Sequence, residues 1–110
     1  MPLTRRGDVR IVPTPGHTPH HVSVVVTGDL SFFLAGDTSY NQQLLIERKV
    51  DGVSPDEDVS RATMERILQL AKRRPLVYLP SHDLNAGDRL QQEAQLLMEP
   101  QPQYSCQIFV

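Results

Sequence analysis

Read for its polar and apolar positions, the chain opens with a polar stretch, Met1 to Asp8, expected to be a frayed lead-in. The β-branched run Val9-Arg10-Ile11-Val12 follows and predicts a first strand, stopped by Pro13. Two further apolar runs, His21 to Val26 and Leu30 to Ala35, are separated by Thr27-Gly28-Asp29, a turn of hairpin length. They are expected to pair antiparallel. Tyr40 to Glu47 suits a short helix, and Lys49 to Val53, with Gly52, reads as connecting loop.

Ser54-Pro55-Asp56-Glu57 predicts the start of a long helix: Ser54 as N-cap, Pro55 at the first helical position and Glu57 completing a capping box. Val59, Thr63, Ile67 and Ala71, with Met64 and Leu68 beside them, recur at helical spacing. Lys72, Arg73 and Arg74 place positive charge at the carbonyl end before Pro75 stops the helix. Leu76 to Leu79 then reads as a short buried strand ending at Pro80, and a second helix is expected from about Asp88 to Met98. Residues 99–110 are expected to form a tail or, from Tyr104 to Val110, a late edge strand.

Composition narrows the class. At 110 residues and 39% hydrophobic content, one domain with a modest core is expected over residues 1–110. No apolar run approaches the ~20 residues that cross a bilayer, and no signal peptide is recognisable, so neither a membrane nor secretion is expected. The net charge of −2, with no basic stripe, argues against nucleic acid as a partner. Cys106 is alone, which excludes an internal disulfide and agrees with a reducing, cytoplasmic setting.

Three of the four histidines, His17, His20 and His21, lie in the loop Thr14-Pro15-Gly16-His17-Thr18-Pro19-His20-His21, which Pro13, Pro15 and Pro19 stiffen. In an antiparallel hairpin the start of one strand and the end of the next share an edge, so Asp37, just past Leu34-Ala35-Gly36, falls beside this loop. A strand-helix-strand crossover returns parallel, which brings His82, after Pro80-Ser81, to the same edge. Two imidazoles and a carboxylate from three loops are a ligand set for zinc or a similar borderline divalent ion. Blander roles exist for each. Asp37 could close an Asx-turn, His82 could be satisfied by Ser81 and Asp83, and Tyr40 could be a half-buried aromatic closing the sheet edge. His20 is expected to be solvated and His21 to be a structural residue opening a strand. Ser81, His82 and Asp83 are not a triad, since triad members meet in space rather than in sequence.

The strings Pro13-Thr14-Pro15-Gly16-His17-Thr18-Pro19, Leu34-Ala35-Gly36-Asp37 and Leu79-Pro80-Ser81-His82-Asp83 resemble, in order and spacing, the later motifs of the metallo-β-lactamase superfamily. The resemblance implies an α+β fold, the C-terminal half of an αββα sandwich, with a mostly antiparallel sheet and helices on one face. It implies His17 as ligand of a first zinc, Asp37 as a bridge between two metals and His82 as ligand of the second. Where His20 stands, the family often has glycine. A tyrosine three residues after the aspartate, Tyr40 in Gly36-Asp37-Thr38-Ser39-Tyr40, is similar to N-acyl homoserine lactonases, where it lies over the metals and hydrogen-bonds substrate. The implied reaction is metal-assisted hydrolysis of a small ester or lactone, with Asp37 and Tyr40 as catalytic residues.

The sequence departs from the family in lacking the His-x-His-x-Asp-His motif of the N-terminal half. The complete family site holds two zinc ions; this chain alone is expected to hold one or none, and to be inactive by itself. Half a sandwich also leaves one sheet face bare, around Val22 and Val24. Two readings follow. The chain is one portion of a lactonase-like hydrolase that needs an N-terminal half, or it is a catalytically inactive stand-alone descendant that self-associates as a homodimer through that face.

Overall fold

A computed structural model describes residues 1–50, 52 and 54–97. Three consecutive runs of β-branched and aromatic residues form β1 (Val9–Pro13), β2 (Val22–Val26) and β3 (Ser31–Gly36). A short helix α1 (Gln42–Ile46) and a long helix α2 (Glu57–Arg73) lead to β4 (Leu76–Pro80), and α3 (Ala86–Gln92) follows. The sheet runs β1-β2-β3-β4, with the first two pairings antiparallel and the last parallel. This is the α+β architecture expected, with the hairpin and the parallel return both in place.

The alternation along β2 and β3 decides the faces. Ser23, Val25, Ser31, Phe33 and Ala35 point inward and are buried. Helix α2 lies on that side and buries Ser60, Thr63, Met64, Ile67 and Leu68, a stripe at helical spacing. Together with Leu45, Leu76, Tyr78 and Leu96 these side chains make one core. The stripe keeps the expected Thr63, Met64, Ile67 and Leu68, but Val59 is 38% exposed and Ser60 is buried instead, against the loop at Gly16. On the opposite face Val22 and Leu34 stay 50% and 44% exposed, as a half-sandwich predicts for Val22. Val24, its partner in the pairing with Leu34, is half-buried.

Three local expectations are corrected. Met1 to Asp8 is not frayed: the Met1 amino group donates to the Ile11 carbonyl, the Ile11 amide donates back to Met1 O, and the Leu3 amide donates to Val9 O. The segment satisfies the outer edge of β1, which would otherwise present unpaired backbone groups. The cap of α2 is Asp56, whose carboxylate accepts from the amides of Asp58 and Val59, and not Ser54. Both residues are good caps, but Asp56 adds a negative charge at the positive end of the helix. The last helix ends at Gln92, short of Met98. Glu93 turns left-handed, with φ of 54°, and the Leu96 amide donates to Leu76 O, so Leu96 drops into the core beside β4. Burying one leucine and satisfying the edge of β4 outweighs two more turns of an exposed helix. Leu90 and Leu97 are each 48% exposed. Met98, Cys106 and the tail or edge strand expected over 99–110 lie outside the described residues.

Candidate functional site

The pairings Pro13↔Val22 and Gly36↔Pro80 bring the end of β1, the start of β2 and the ends of β3 and β4 to one sheet edge. Each of the three candidate ligands follows one of these strand ends. The first loop is held from below by α2: the Thr63 hydroxyl donates to Pro15 O at 2.6 Å. It also closes on itself, with Gly16 N donating to Thr18 O at 3.0 Å and Thr14 N to His21 O at 2.9 Å. The stiffness expected from its prolines is therefore reinforced by hydrogen bonds.

Gly16 makes the fit of loop to helix possible. Its φ is +154°, and a Cβ there would meet Ser60 Oγ at 2.5 Å and Ser60 Cα at 2.9 Å. Backbone of a 17-residue helix cannot yield cheaply. Gly16→Ala is expected to cost about 1–3 kcal/mol in urea unfolding. An unchanged unfolding midpoint would contradict the contact.

Asp37 is aimed by a bulge. Leu34 pairs with Leu79 but Gly36, two residues on, pairs with the very next residue, Pro80. Gly36 absorbs the extra residue with φ of +57°, a left-handed conformation that glycine adopts without steric cost. The Ser81 amide then donates to Gly36 O at 2.8 Å, tying the loop that carries His82 to the residue before Asp37.

The three predicted residues do meet. His82 Nε2 lies 3.1 Å from Asp37 Oδ1, and His17 Nε2 lies 3.8 Å from Asp37 Oδ2. One carboxylate thus faces a different imidazole with each oxygen. Tyr40 stacks on His82, with ring centroids 5.3 Å apart and planes 7° from parallel. Tyr40 is 58% exposed rather than half-buried against the sheet. His20 is exposed, as expected. Among the described residues no group of three or more His, Cys, Asp or Glu side chains is arranged to hold a metal ion. The arrangement is two histidine–carboxylate pairs sharing Asp37.

Reasoning from sequence missed the residues that hold these loops. Asp83 does not serve His82. Its Oδ2 accepts from the Gln42 amide and from Arg89 Nη2, each at 2.9 Å, and its Oδ1 accepts from the Asn85 amide at 2.8 Å. Arg89 also donates to Tyr78 O at 2.9 Å, and the Tyr78 hydroxyl shares a hydrogen with Ser39 Oγ at 2.7 Å. Burial raises the Asp83 pKa, but the Arg89 hydrogen bond and charge and the two backbone amides outweigh it, and the carboxyl titrates below its ordinary value. Burial pushes the Tyr78 hydroxyl well above its ordinary value, so it remains neutral. A second buried cluster joins Thr14 Oγ1, Ser23 Oγ and Thr38 Oγ1 beneath the first two loops. A polar residue at an inward strand position, Ser23, is the signal available in the sequence for this cluster.

No curated protein matches this sequence. Among solved structures, a quorum-quenching N-acyl homoserine lactone lactonase matches with 26% identity and a TM-score of 0.61, over 71% of this chain and 33% of that one. An N-acyl homoserine lactone hydrolase with N-hexanoyl-L-homoserine at its catalytic metal centre matches with 21% identity and a TM-score of 0.64, over 90% of this chain and 38% of that one. AidC, a dizinc quorum-quenching lactonase, matches with 20% identity and a TM-score of 0.56, over 74% of this chain and 29% of that one. For the last two the likeness is one of fold. The chain spans about a third of the length of these structures. The family model of the metallo-beta-lactamase superfamily matches residues 3–82, a span that contains all four strands, both imidazoles and the shared carboxylate. This chain belongs to the metallo-beta-lactamase superfamily.

Proposed function

We propose that the chain supplies the His17, Asp37 and His82 portion of a metal-dependent hydrolase site, completed by a partner segment bearing the missing histidine-rich motif. The observation that carries this reading is the carboxylate of Asp37 set between two imidazoles, one to each oxygen. Imidazole nitrogen and carboxylate oxygen suit zinc, and the Asp37 carboxylate offers one oxygen beside each histidine. His17 would hold one ion, His82 the other, and Asp37 both. When bound, such ions supply Lewis acidity, lowering the pKa of water and polarising a carbonyl.

The residues of this chain account for the rest. Asp37, held by the backbone at the bulge, takes the proton of the attacking water and delivers it to the leaving alkoxide. Tyr40, lying flat on His82 with its ring exposed, offers its hydroxyl to the carbonyl oxygen of the substrate. That tyrosine, together with the lactonases among the structural neighbours, favours a lactone of the acyl homoserine type over other esters. No helix among the described residues is long and apolar enough to cross a membrane; a cytoplasmic setting is supported by the single cysteine, Cys106.

Complementation tests the proposal. Mixed or co-expressed with a cognate N-terminal half, the chain is expected to open an acyl homoserine lactone, while either part alone does not. A folded complex that stays inactive toward lactones would sink it. The exposed Val22 and Leu34 support a second reading, an inactive homodimer that buries this face against a second copy. Light scattering separates the two, because a stable monomer at micromolar concentration contradicts the homodimer.

A further inference from the structure

We propose that His21 is a positioning residue, which sets the Asp37 carboxylate against His17 by accepting the Asp37 amide hydrogen. The Asp37 N–H donates to His21 Nε2 at 3.0 Å. A nitrogen that accepts carries a lone pair, so the neutral ring bears its hydrogen on Nδ1. Nδ1 lies 3.2 Å from Thr14 O and 2.9 Å from Thr14 Oγ1, acceptors for that hydrogen. One ring therefore spans two loops. Its Nδ1 side binds Thr14, three residues before His17, and its Nε2 side binds the backbone of Asp37.

Both ends of this bridge are rigid. Thr14 is 4% exposed, and its hydroxyl meets Ser23 Oγ at 2.8 Å in the buried polar cluster. Ser23 Oγ and Thr38 Oγ1 both donate to Ala35 O, two residues before Asp37. On the other side the ring presses on the bulge: a Cβ at Gly36 would sit 2.8 Å from His21 Nε2. The peptide between Gly36 and Asp37 is thus held with its N–H toward the imidazole, and a flipped peptide would set a carbonyl against a lone pair. The direction in which the Asp37 side chain leaves the bulge follows from that peptide plane. An outer partner of this kind commonly changes metal affinity by about 10–100-fold when removed.

The functional arm of the proposal rests on the metal-site reading above, and its geometric arm does not. In the metal-free wild-type chain, long-range nitrogen–proton correlation is expected to show His21 with hydrogen on Nδ1 and a scalar coupling across the Asp37 N–H···Nε2 bond. A hydrogen on Nε2 overturns the proposal. Zinc titration of His21→Leu, which lacks both nitrogens, is expected to show affinity reduced about 10–100-fold, with His21→Gln, which keeps an acceptor near Nε2, between it and wild type. Equal zinc affinity in folded His21→Leu and wild type overturns it. So does equal loss of affinity in His21→Leu and His21→Gln, the mark of a merely structural role. If wild type takes up no zinc, the metal reading fails and the Asp37 amide decides. Its resonance should shift in His21→Leu and recover in His21→Gln, and no shift overturns the proposal. Should His21→Leu not fold, Thr14→Val keeps the shape and removes one anchor. Unchanged zinc affinity and an unmoved Asp37 amide in that variant would overturn it as well.

Discussion

Asp37→Ala is expected to lose zinc uptake by more than about 100-fold, since even outer-shell partners of a metal commonly contribute about 10–100-fold. The reason is geometric. Asp37 reaches both imidazoles, at 3.1 Å from His82 and 3.8 Å from His17. His17→Ala and His82→Ala each remove one pair and leave the other, so each should retain part of the uptake that Asp37→Ala loses. Elemental analysis of wild type beside the three variants, alone and mixed with a cognate N-terminal half, measures this. Background metal in all eight samples would reduce the site to a relic. Activity of the completed enzyme should follow the same order.

Asp83→Ala is expected to destabilise the fold by about 3–5 kcal/mol, the usual cost of breaking a buried ion pair from one side. Asp83 and Arg89 are paired at 2.9 Å, with side chains only 5% and 13% exposed. Removing the carboxylate strands the guanidinium and also frees the amides of Gln42 and Asn85. A small domain has about 5–15 kcal/mol in total, so the variant should sit near the limit of folding. Adding Arg89→Met should restore part of the loss, because the stranded charge and not the missing hydrogen bonds makes up much of it. A change below about 1 kcal/mol in urea unfolding would refute the buried-pair account.

The same pair dictates an acid limit. The folded carboxyl of Asp83 titrates below its ordinary value, so its contribution is complete above about pH 4 and is lost as pH falls through the lower folded value. Wild type should therefore lose stability below about pH 4, and a background already lacking the pair, Asp83→Ala with Arg89→Met, should lose less there. The loss would reach the site as well, because Asp83 anchors the loop that begins with His82.

Residues that act through local pattern were legible from the chain alone. The strands announced themselves by β-branched runs, and Thr27-Gly28-Asp29 announced the turn between β2 and β3. Pro13, Pro75 and Pro80 stand where elements stop. From strand order and length it followed that His17, Asp37 and His82 share an edge, and the structure brings them together. Other partners are hidden from local pattern. Sequence proximity offers Asp83 to His82, whereas the fold gives it Gln42 and Arg89. Ser54 fits the capping pattern as well as Asp56, and two good caps two residues apart cannot be ranked without the path of the incoming chain. Apolar spacing extends the helix near Asp88 to Met98, whereas Leu96 leaves it to fill the core.

By itself the sequence determined roughly where the elements lie and on which sheet edge His17, Asp37 and His82 gather, because these follow from periodicity, turn chemistry and strand direction. Tertiary structure alone decided how these side chains are aimed. The His21–Asp37 bond joins residues 16 apart, Ser39–Tyr78 residues 39 apart and Asp83–Gln42 residues 41 apart. No periodic pattern reports such pairs. They form because folding the loops at the sheet edge onto one another and onto β4 buries polar groups that must then find one another, and the partner is whichever donor or acceptor the fold has brought within reach.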